Sequence, residues 1–478
     1  MKIDKGRIIN DFIEPNKRQY AIPVYQRNYE WSKEQCVKLF EDIVQAYKKD
    51  RTHFCGSVVY APLKEEQNIH YYIIIDGQQR LTTIYLLLKS LIDLAENDTT
   101  RELIAETLFN RDKFDKFAID KASKLKLKPI KSDDNQLRLL MENKYDDIEK
   151  NSGIWRNYEL FCSLVQAQLD AGMYVKDIYK GVEKLICASI LLEQEDNAQE
   201  MFERINSTGV PLSLADKIRN FVLMTDADQE SLYENYWLKA EVLVHRNNMT
   251  AFFLDYLNTK VDGFAKEEDA YEVFKDVYRK GKYTNESMLK EILHYADFYH
   301  AFLYGDKKYG DKINSLLKSL QKLKQTTVFL FLFPVFDDYE NEVIGLKELE
   351  KVLQFLLHYS IRRLICEIGS NSLRGLYKTL YARVFARTEN KQHYYDTIVS
   401  FFQQLTSKDA LPDDKTFILA LKQNNLYRKN ALCKFLLTAI ENQGKEQLIT
   451  DNLTIEHIMP QNKNPVSYTH LRAHETDS

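Results

Sequence analysis

Ile73-Ile74-Ile75-Asp76-Gly77-Gln78-Gln79-Arg80-Leu81-Thr82-Thr83 changes its periodicity within a few residues. Up to Ile75 the chain is a continuous apolar run from Tyr71, suited to a strand buried on both faces. Asp76-Gly77 breaks it, and Leu81 to Leu94 resumes as a strongly apolar helix. Gly77 permits a tight turn or a close backbone approach. The helix start offers free amides and a partial positive charge to an anion, and Arg80 would complete a phosphate cradle. An ordinary strand-to-helix turn with Arg80 on the surface accounts for the same residues about as well. A Walker loop does not, because the long glycine-rich span and the Lys-Ser/Thr pair are missing.

Before this turn, strand-like and helix-like signals alternate. Gln19 to Pro23 is short and extended. Ser32 reads as a helix cap, with Gln35 closing a capping box and Trp31 as the apolar staple. The helix Lys33 to Tyr47 follows, with Cys36, Leu39, Phe40 and Ile43 on one face, and Phe54 to Tyr60 is a strand candidate. Between strand and cap lies Ile22-Pro23-Val24-Tyr25-Gln26-Arg27-Asn28-Tyr29-Glu30-Trp31. Arg27 offers a planar fork to phosphate or carboxylate, and Tyr25 or Tyr29 a stacking face. Taken alone, the stretch is better read as a structural loop.

After the turn, Lys124 to Ile130 (KLKLKPI) alternates lysine with apolar residues. That pattern suits an edge strand whose lysines block aggregation, or else a phosphate contact. Ile186 to Leu192 is a further buried-strand candidate, leading into a helix with Phe202 and Ile205. That helix ends near Asn206, Gly209 and Pro211 turn the chain, and Ser213 caps the next helix with Asp216 three residues on. Asn206, Thr208 and Asp216 are polar enough to bind a ligand, although capping explains two of them. Beyond residue 225 the patterning is almost wholly helical, as in Ile313 to Leu323 and Leu346 to Ile365. Near the end, Leu453-Thr454-Ile455-Glu456-His457-Ile458-Met459-Pro460-Gln461 alternates like a strand and then presents an acid beside a histidine. Alone, such a pair is usually without function.

The bulk composition agrees with this mixture. The chain has 478 residues, 44% hydrophobic and 28% charged, with only 15 Gly and 9 Pro, so two or three globular domains rich in helix are expected. Its 30 Tyr and 25 Phe can build cores or stack on bases. A net charge of −4 means that any DNA contact must come from local patches rather than from a basic body. The six cysteines show neither metal-binding nor disulfide spacing, which points to a reducing compartment. The N-terminus lacks the apolar stretch of a signal peptide. The longest apolar run, Val328 to Phe336, is interrupted by Pro334 and too short to span a bilayer, so a cytoplasmic protein without membrane contact is expected.

Together the three front motifs, IPVYQRNYEW, IDGQQRLTT and FERINSTGVPLSLAD, resemble in sequence and order the N-terminal domain of the GmrSD family of modification-dependent (type IV) restriction enzymes. The string EHIMPQ resembles the HNH nuclease signature of the same family. Pro412 to Phe417 and Asn425 to Asn430 look like the helices that precede that signature. The resemblance implies an α+β, predominantly helical protein. A ParB/sulfiredoxin-like nucleotide-binding domain would span residues 1–225, a helical linker region 226–385 and an HNH (ββα-metal) domain 386–465. It implies that Tyr25, Gln26, Arg27, Asp76, Gly77, Gln78, Gln79 and Arg80 line a site that binds and hydrolyses a nucleoside triphosphate, GTP or another, with Asn206 and Asp216 as further members. It also implies that Glu456 sits beside a divalent metal, Mg²⁺ or Mn²⁺, and that His457 is the general base. Double-stranded, modified DNA would be the substrate in phage defence, and a homo-oligomer is compatible with it. A ParB-like DNA-binding regulator, or a nucleotide-hydrolysing switch without nuclease activity, is the rival expectation.

From Val466 the chain reads VSYTHLRAHETDS, which looks like a translated sequencing adapter. Residues 466–478 are therefore set aside, His470 and His474 with them, and the natural chain is expected to continue beyond Pro465. Because the family completes its metal site downstream of EHIMPQ, the HNH domain is expected to be truncated and unable to cleave DNA as written.

Overall fold

The computed structural model describes all residues except 14–16, 67–68, 111–124, 130, 194–195, 197–198, 200, 202–211, 225–227 and 443–478. The chain divides into two compact units, one of residues 1–238 with 282–289, the other of 239–281 with 290–478.

The first unit is built on a six-stranded mixed sheet. Its strands are β1 (Lys2–Arg7), β2 (Arg18–Ala21), β3 (His53–Glu66), β4 (Ile69–Asp76), β5 (Leu127–Lys128) and β6 (Leu185–Leu191), in the order β1-β6-β3-β4-β2-β5. β4 runs antiparallel to β3 and parallel to β2, while β6 lies parallel to β3 and antiparallel to β1. The helices of nine residues or more are α1 (Lys33–Lys48), α2 (Gln78–Asp93), α3 (Asp98–Leu108), α4 (Lys131–Met141), α5 (Gly153–Asp170), α6 (Val175–Glu183) and α7 (Leu214–Leu223).

Alternation along the strands assigns the two faces of the sheet. Val58, Tyr60 and Ile74 join the large core with α1, α2, α5 and α6. Their neighbours Val59 and Ile75 join a smaller cluster with Leu192, against which Met201, Leu212 and Met224 pack. The apolar run at Ile73–Ile75 thus has both of its faces covered.

Local capping is as expected. Ser32 and Ser213 each close a reciprocal capping box, with Gln35 and Asp216 respectively. Three expectations need correction. Lys126 is fully buried rather than solvent-facing, and its Nζ donates to the Glu106 carbonyl at 3.1 Å, so only Lys128 is an exposed lysine on β5. In β6, Leu185 and Cys187 are buried, whereas Ala188 to Leu191 are half-buried. Asn425–Asn430 is not a helix: a single 3-10 turn spans Leu426–Arg428, and the helix begins at Asn430. The helix expected around Phe202 and Ile205 lies outside the described residues.

The second unit contains, among its described residues, helices and turns only. Its helices of ten residues or more are α8 (Met249–Lys260), α9 (Ala270–Lys280), α10 (Asn285–Tyr304, which belongs to this unit from Lys290 on), α11 (Gly310–Lys322), α12 (Phe329–Glu340), α13 (Leu346–Ile365), α14 (Leu373–Val384), α15 (Tyr394–Gln403), α16 (Asp414–Gln423) and α17 (Asn430–Glu441). Its centre is aromatic: Tyr299 stacks on Phe333, and Phe302 meets Phe329, Phe333 and Phe336 within 5.5 Å. The run around Pro334 is the buried side of α12. No helix among the described residues is long and apolar enough to cross a membrane.

Candidate functional site

β4 ends at Asp76, and Gly77 (φ +95°) starts α2 in the left-handed region. A Cβ at Gly77 would stand 3.1 Å from the Ser57 carbonyl and 3.2 Å from Val58, so the turn presses against β3. Gly77 has no side chain with which to cap the first amides of the sixteen-residue helix.

The amides of Gln78 and Gln79 have different fates. Gln79 clamps the preceding loop: its Oε1 accepts from the Glu30 amide at 2.8 Å and its Nε2 donates to the Asn28 carbonyl at 2.8 Å. Gln26 is likewise engaged, its Nε2 donating to the Ile75 carbonyl at 3.0 Å. Gln78 is buried, yet its Oε1 has no hydrogen-bond partner among the described residues. The Tyr25 hydroxyl is in the same condition, and burial raises its pKa.

Gln78 opens onto a small cleft lined by Ile22, Arg27, Tyr29, Gln78, Gln79, Thr82, Pro129 and Asp133. Of the sequence-derived candidates, Arg27, Gln78 and Gln79 therefore line it. Tyr29, Thr82 and Asp133 are cleft residues outside that set. Asp133 holds the loop by accepting the Tyr29 amide at 2.7 Å, and the Tyr29 hydroxyl meets Thr83 at 2.7 Å and accepts from Asn157 at 3.1 Å.

Arg80 is placed differently. Its guanidinium lies over Gly56, where a Cβ would come within 2.7 Å of Nη2, and Nη1 donates to the Ser57 carbonyl at 2.7 Å. It is absent from the cleft lining. Burial raises the pKa of Asp76, and that effect is opposed by Arg80, the Gly77 amide, Ser57 and Arg27. Two guanidiniums therefore flank one partly desolvated carboxyl, while Glu30, 4.0 Å from Arg27, adds an acid at the rim.

Asp216 lies on α7 in an ion pair with Arg219 (2.8 Å), and it accepts from the Ser213 hydroxyl at 2.8 Å. Arg219 Nε donates to the Tyr25 carbonyl at 2.9 Å, which ties α7 to the loop. Sequence reasoning missed Arg219, although its i,i+3 spacing from Asp216 was available. Next to it, Asn220 buries an Oδ1 that also lacks a partner among the described residues. Asn206 lies outside the described residues, as do Glu456 and His457. Among the described residues no group of three His, Cys, Asp or Glu side chains is placed to hold a metal ion.

Comparison with known families gives two matches. Residues 9–223 match the N-terminal domain of the GmrSD restriction endonuclease, and residues 411–476 match the C-terminal domain of GmrSD restriction endonucleases. The second match takes in most of the string that begins at Val466. No curated protein matches the chain. The first match spans the loop of Tyr25, the turn of Gly77 and the start of α7, and the second follows it in the order the family requires. The chain belongs to the GmrSD restriction endonuclease family.

Proposed function

We propose that the chain is a nucleotide-dependent DNA endonuclease of a cytoplasmic phage-defence system. Its first unit, ParB/sulfiredoxin-like on this reading, binds and hydrolyses a nucleoside triphosphate. Its C-terminal part is an HNH nuclease acting on double-stranded, modified DNA. The observation that carries the nucleotide half is Gln78: a buried amide without a protein partner for its oxygen, at the uncapped start of a long helix, in a cleft that also holds Arg27. Unpaired buried polar atoms are rare because each costs about 1–3 kcal/mol, and a ligand that pairs them removes the cost. The free amides of the helix start and the Arg27 fork suit phosphate oxygens. Arg80 and Asp76 set the charge beside the turn, Gln26 and Gln79 hold the loop in place, and Asn206 and Asp216 are further members of the site on the strength of the family resemblance.

In the nuclease half, His457 takes the proton of the attacking water and Glu456 holds the divalent ion, Mg²⁺ or Mn²⁺. When bound, that ion would shield the scissile phosphate and stabilise the leaving oxygen. Coupling the halves requires that the nucleotide bind two conformations unequally.

The test is nucleotide hydrolysis by the purified chain, with Arg27→Ala and Arg80→Ala beside it. Loss of hydrolysis in both variants, with the fold intact by circular dichroism, supports the site. Unchanged hydrolysis in both removes it. For the nuclease, Mg²⁺-dependent nicking abolished by His457→Ala in a chain carrying the whole HNH site is the expected result. Nicking unaffected by that change would overturn the assignment.

A further inference from the structure

Arg363, near the end of α13, is 2% exposed, yet among the described residues no acid pairs with it within 4.0 Å. Its neighbour Arg362, by contrast, meets Asp414 at 2.5 Å. The bonds that Arg363 makes all go to neutral oxygens. Nη1 donates to the Tyr359 hydroxyl at 3.2 Å and to the Lys408 carbonyl, and Nη2 donates to the Gly369 carbonyl at 2.7 Å. Its Nε has no partner among the described residues. A guanidinium held in this way remains an uncompensated charge inside the protein, which is costly.

Two hydroxyls near it are also unpaired. Tyr377 lies close enough for the Arg363 charge to act on it, and its buried hydroxyl makes no hydrogen bond. Ser360 stands beside it but directs its own proton to the Leu356 carbonyl at 2.8 Å. Ser372, three residues past Gly369, opens the twelve-residue α14 without capping it, and its Oγ is buried and unpaired. The uncapped amides of that first turn add the positive end of the helix dipole.

The geometry points to a bound monatomic anion of chloride size, held between α13 and α14 by Arg363 Nε and the hydroxyls of Ser372 and Tyr377. An anion accepts from all three donors and supplies the missing negative charge. A water accepts as well, but it leaves the guanidinium uncompensated. Each of the three atoms is shut off from solvent, which suits a small dehydrated ion rather than a phosphoester. Asp409, whose carbonyl accepts from the Tyr359 hydroxyl at 2.8 Å, is an acid next to this cluster, and it forms no ion pair with Arg363. The ion fastens the chain around Gly369 and Lys408 to α13, because the same guanidinium already binds both carbonyls. The site lies wholly in the helical unit and stands apart from nucleotide hydrolysis and DNA cleavage.

Crystals of the full chain grown in sodium bromide test it by anomalous scattering. A bromide peak within hydrogen-bond reach of Arg363 Nε, Ser372 Oγ and Tyr377 Oη is the expected result. In solution, replacing gluconate by chloride at constant ionic strength should raise the melting temperature of the unaltered chain. Tyr377→Phe and Ser372→Ala, each of which removes one oxygen, should weaken that chloride dependence about tenfold or more while leaving the fold intact in gluconate. A water bridging Nε to Asp409 Oδ1 in place of bromide would overturn the inference. So would a peak seen only at molar bromide, which marks an adventitious ion only, or a chloride dependence that both variants keep.

Discussion

Arg219 on α7 donates through Nε to the carbonyl oxygen of Tyr25, 194 positions earlier, while its Nη2 is held by Asp216. Both side chains of the pair are nearly buried, at 6% and 11% exposure. The connection fastens the loop that carries Arg27 to a helix distant in sequence, so loop geometry and α7 stability are one property.

Asp216→Ala should destabilise the first unit by about 3 kcal/mol, because it removes the carboxylate 2.8 Å from a nearly buried guanidinium. Denaturant unfolding measures this directly. A loss under about 0.5 kcal/mol would show that Arg219 is solvated in solution.

Gln78 and Gln79 should separate cleanly although they are neighbours. Gln79→Ala removes two hydrogen bonds to the 28–30 loop and should cost about 1–3 kcal/mol of stability. Gln78→Ala deletes an acceptor that has no described partner, so stability should change by less than about 1 kcal/mol while nucleotide affinity falls. Paired thermal melts and nucleotide titrations decide it, and equal stability losses would contradict the assignment.

Gly56 (φ +100°) should tolerate no side chain, since backbone strain adds to the close approach of Arg80. Gly56→Ala is expected to cost about 1–3 kcal/mol and to impair hydrolysis by displacing the guanidinium. Combining it with Arg80→Ala should give less than the sum of the two losses, because the steric part is then relieved. Strict additivity in a double-mutant cycle would show that the two residues do not touch.

In the second unit, burial pushes the Asp255 carboxyl up to about 7, with Arg374 at 3.5 Å opposing the shift. A carboxyl whose folded pKa is raised binds its proton more tightly in the native state. Its contribution to stability is full below about pH 4 and is lost as pH rises through about 7. Stability should therefore fall by on the order of 2–4 kcal/mol across that window. Asp255→Asn should flatten the slope and be the more stable protein at pH 8. A pH profile unchanged by the substitution would show that Asp255 does not titrate in this range.

What could be read in advance was local chemistry. The capping boxes at Ser32 and Ser213, the break at Asp76-Gly77 and the helix Leu346–Ile365 depend on residues a few positions apart, and they stand where expected. Lys126 escaped because its partner, the Glu106 carbonyl, comes from α3 across twenty residues and offers no sequence signal. The two glutamines read alike for the same reason: only the loop folding back over α2 makes Gln79 a clamp and leaves Gln78 open. Arg80 fitted a phosphate cradle by spacing, and its donation to the Ser57 carbonyl of β3 had no sequence signal. For Asn206, Glu456 and His457, sequence resemblance remains the sole basis.

The strand order also sets a timetable. β3 is hydrogen-bonded on one side by β4, which follows it at once, and on the other by β6, which ends at Leu191. At bacterial or eukaryotic elongation rates, that second neighbour emerges on the order of ten seconds after β3. Throughout that interval the nascent chain carries a β3–β4 pair with one open edge, a template for pairing with another copy. β1, made first, is held in waiting even longer, since β6 is its partner in the sheet. The front unit is thus a late-closing fold, and its yield in a cell should depend on chaperone supply and translation speed between residues 60 and 191 more than on the stability of the finished protein.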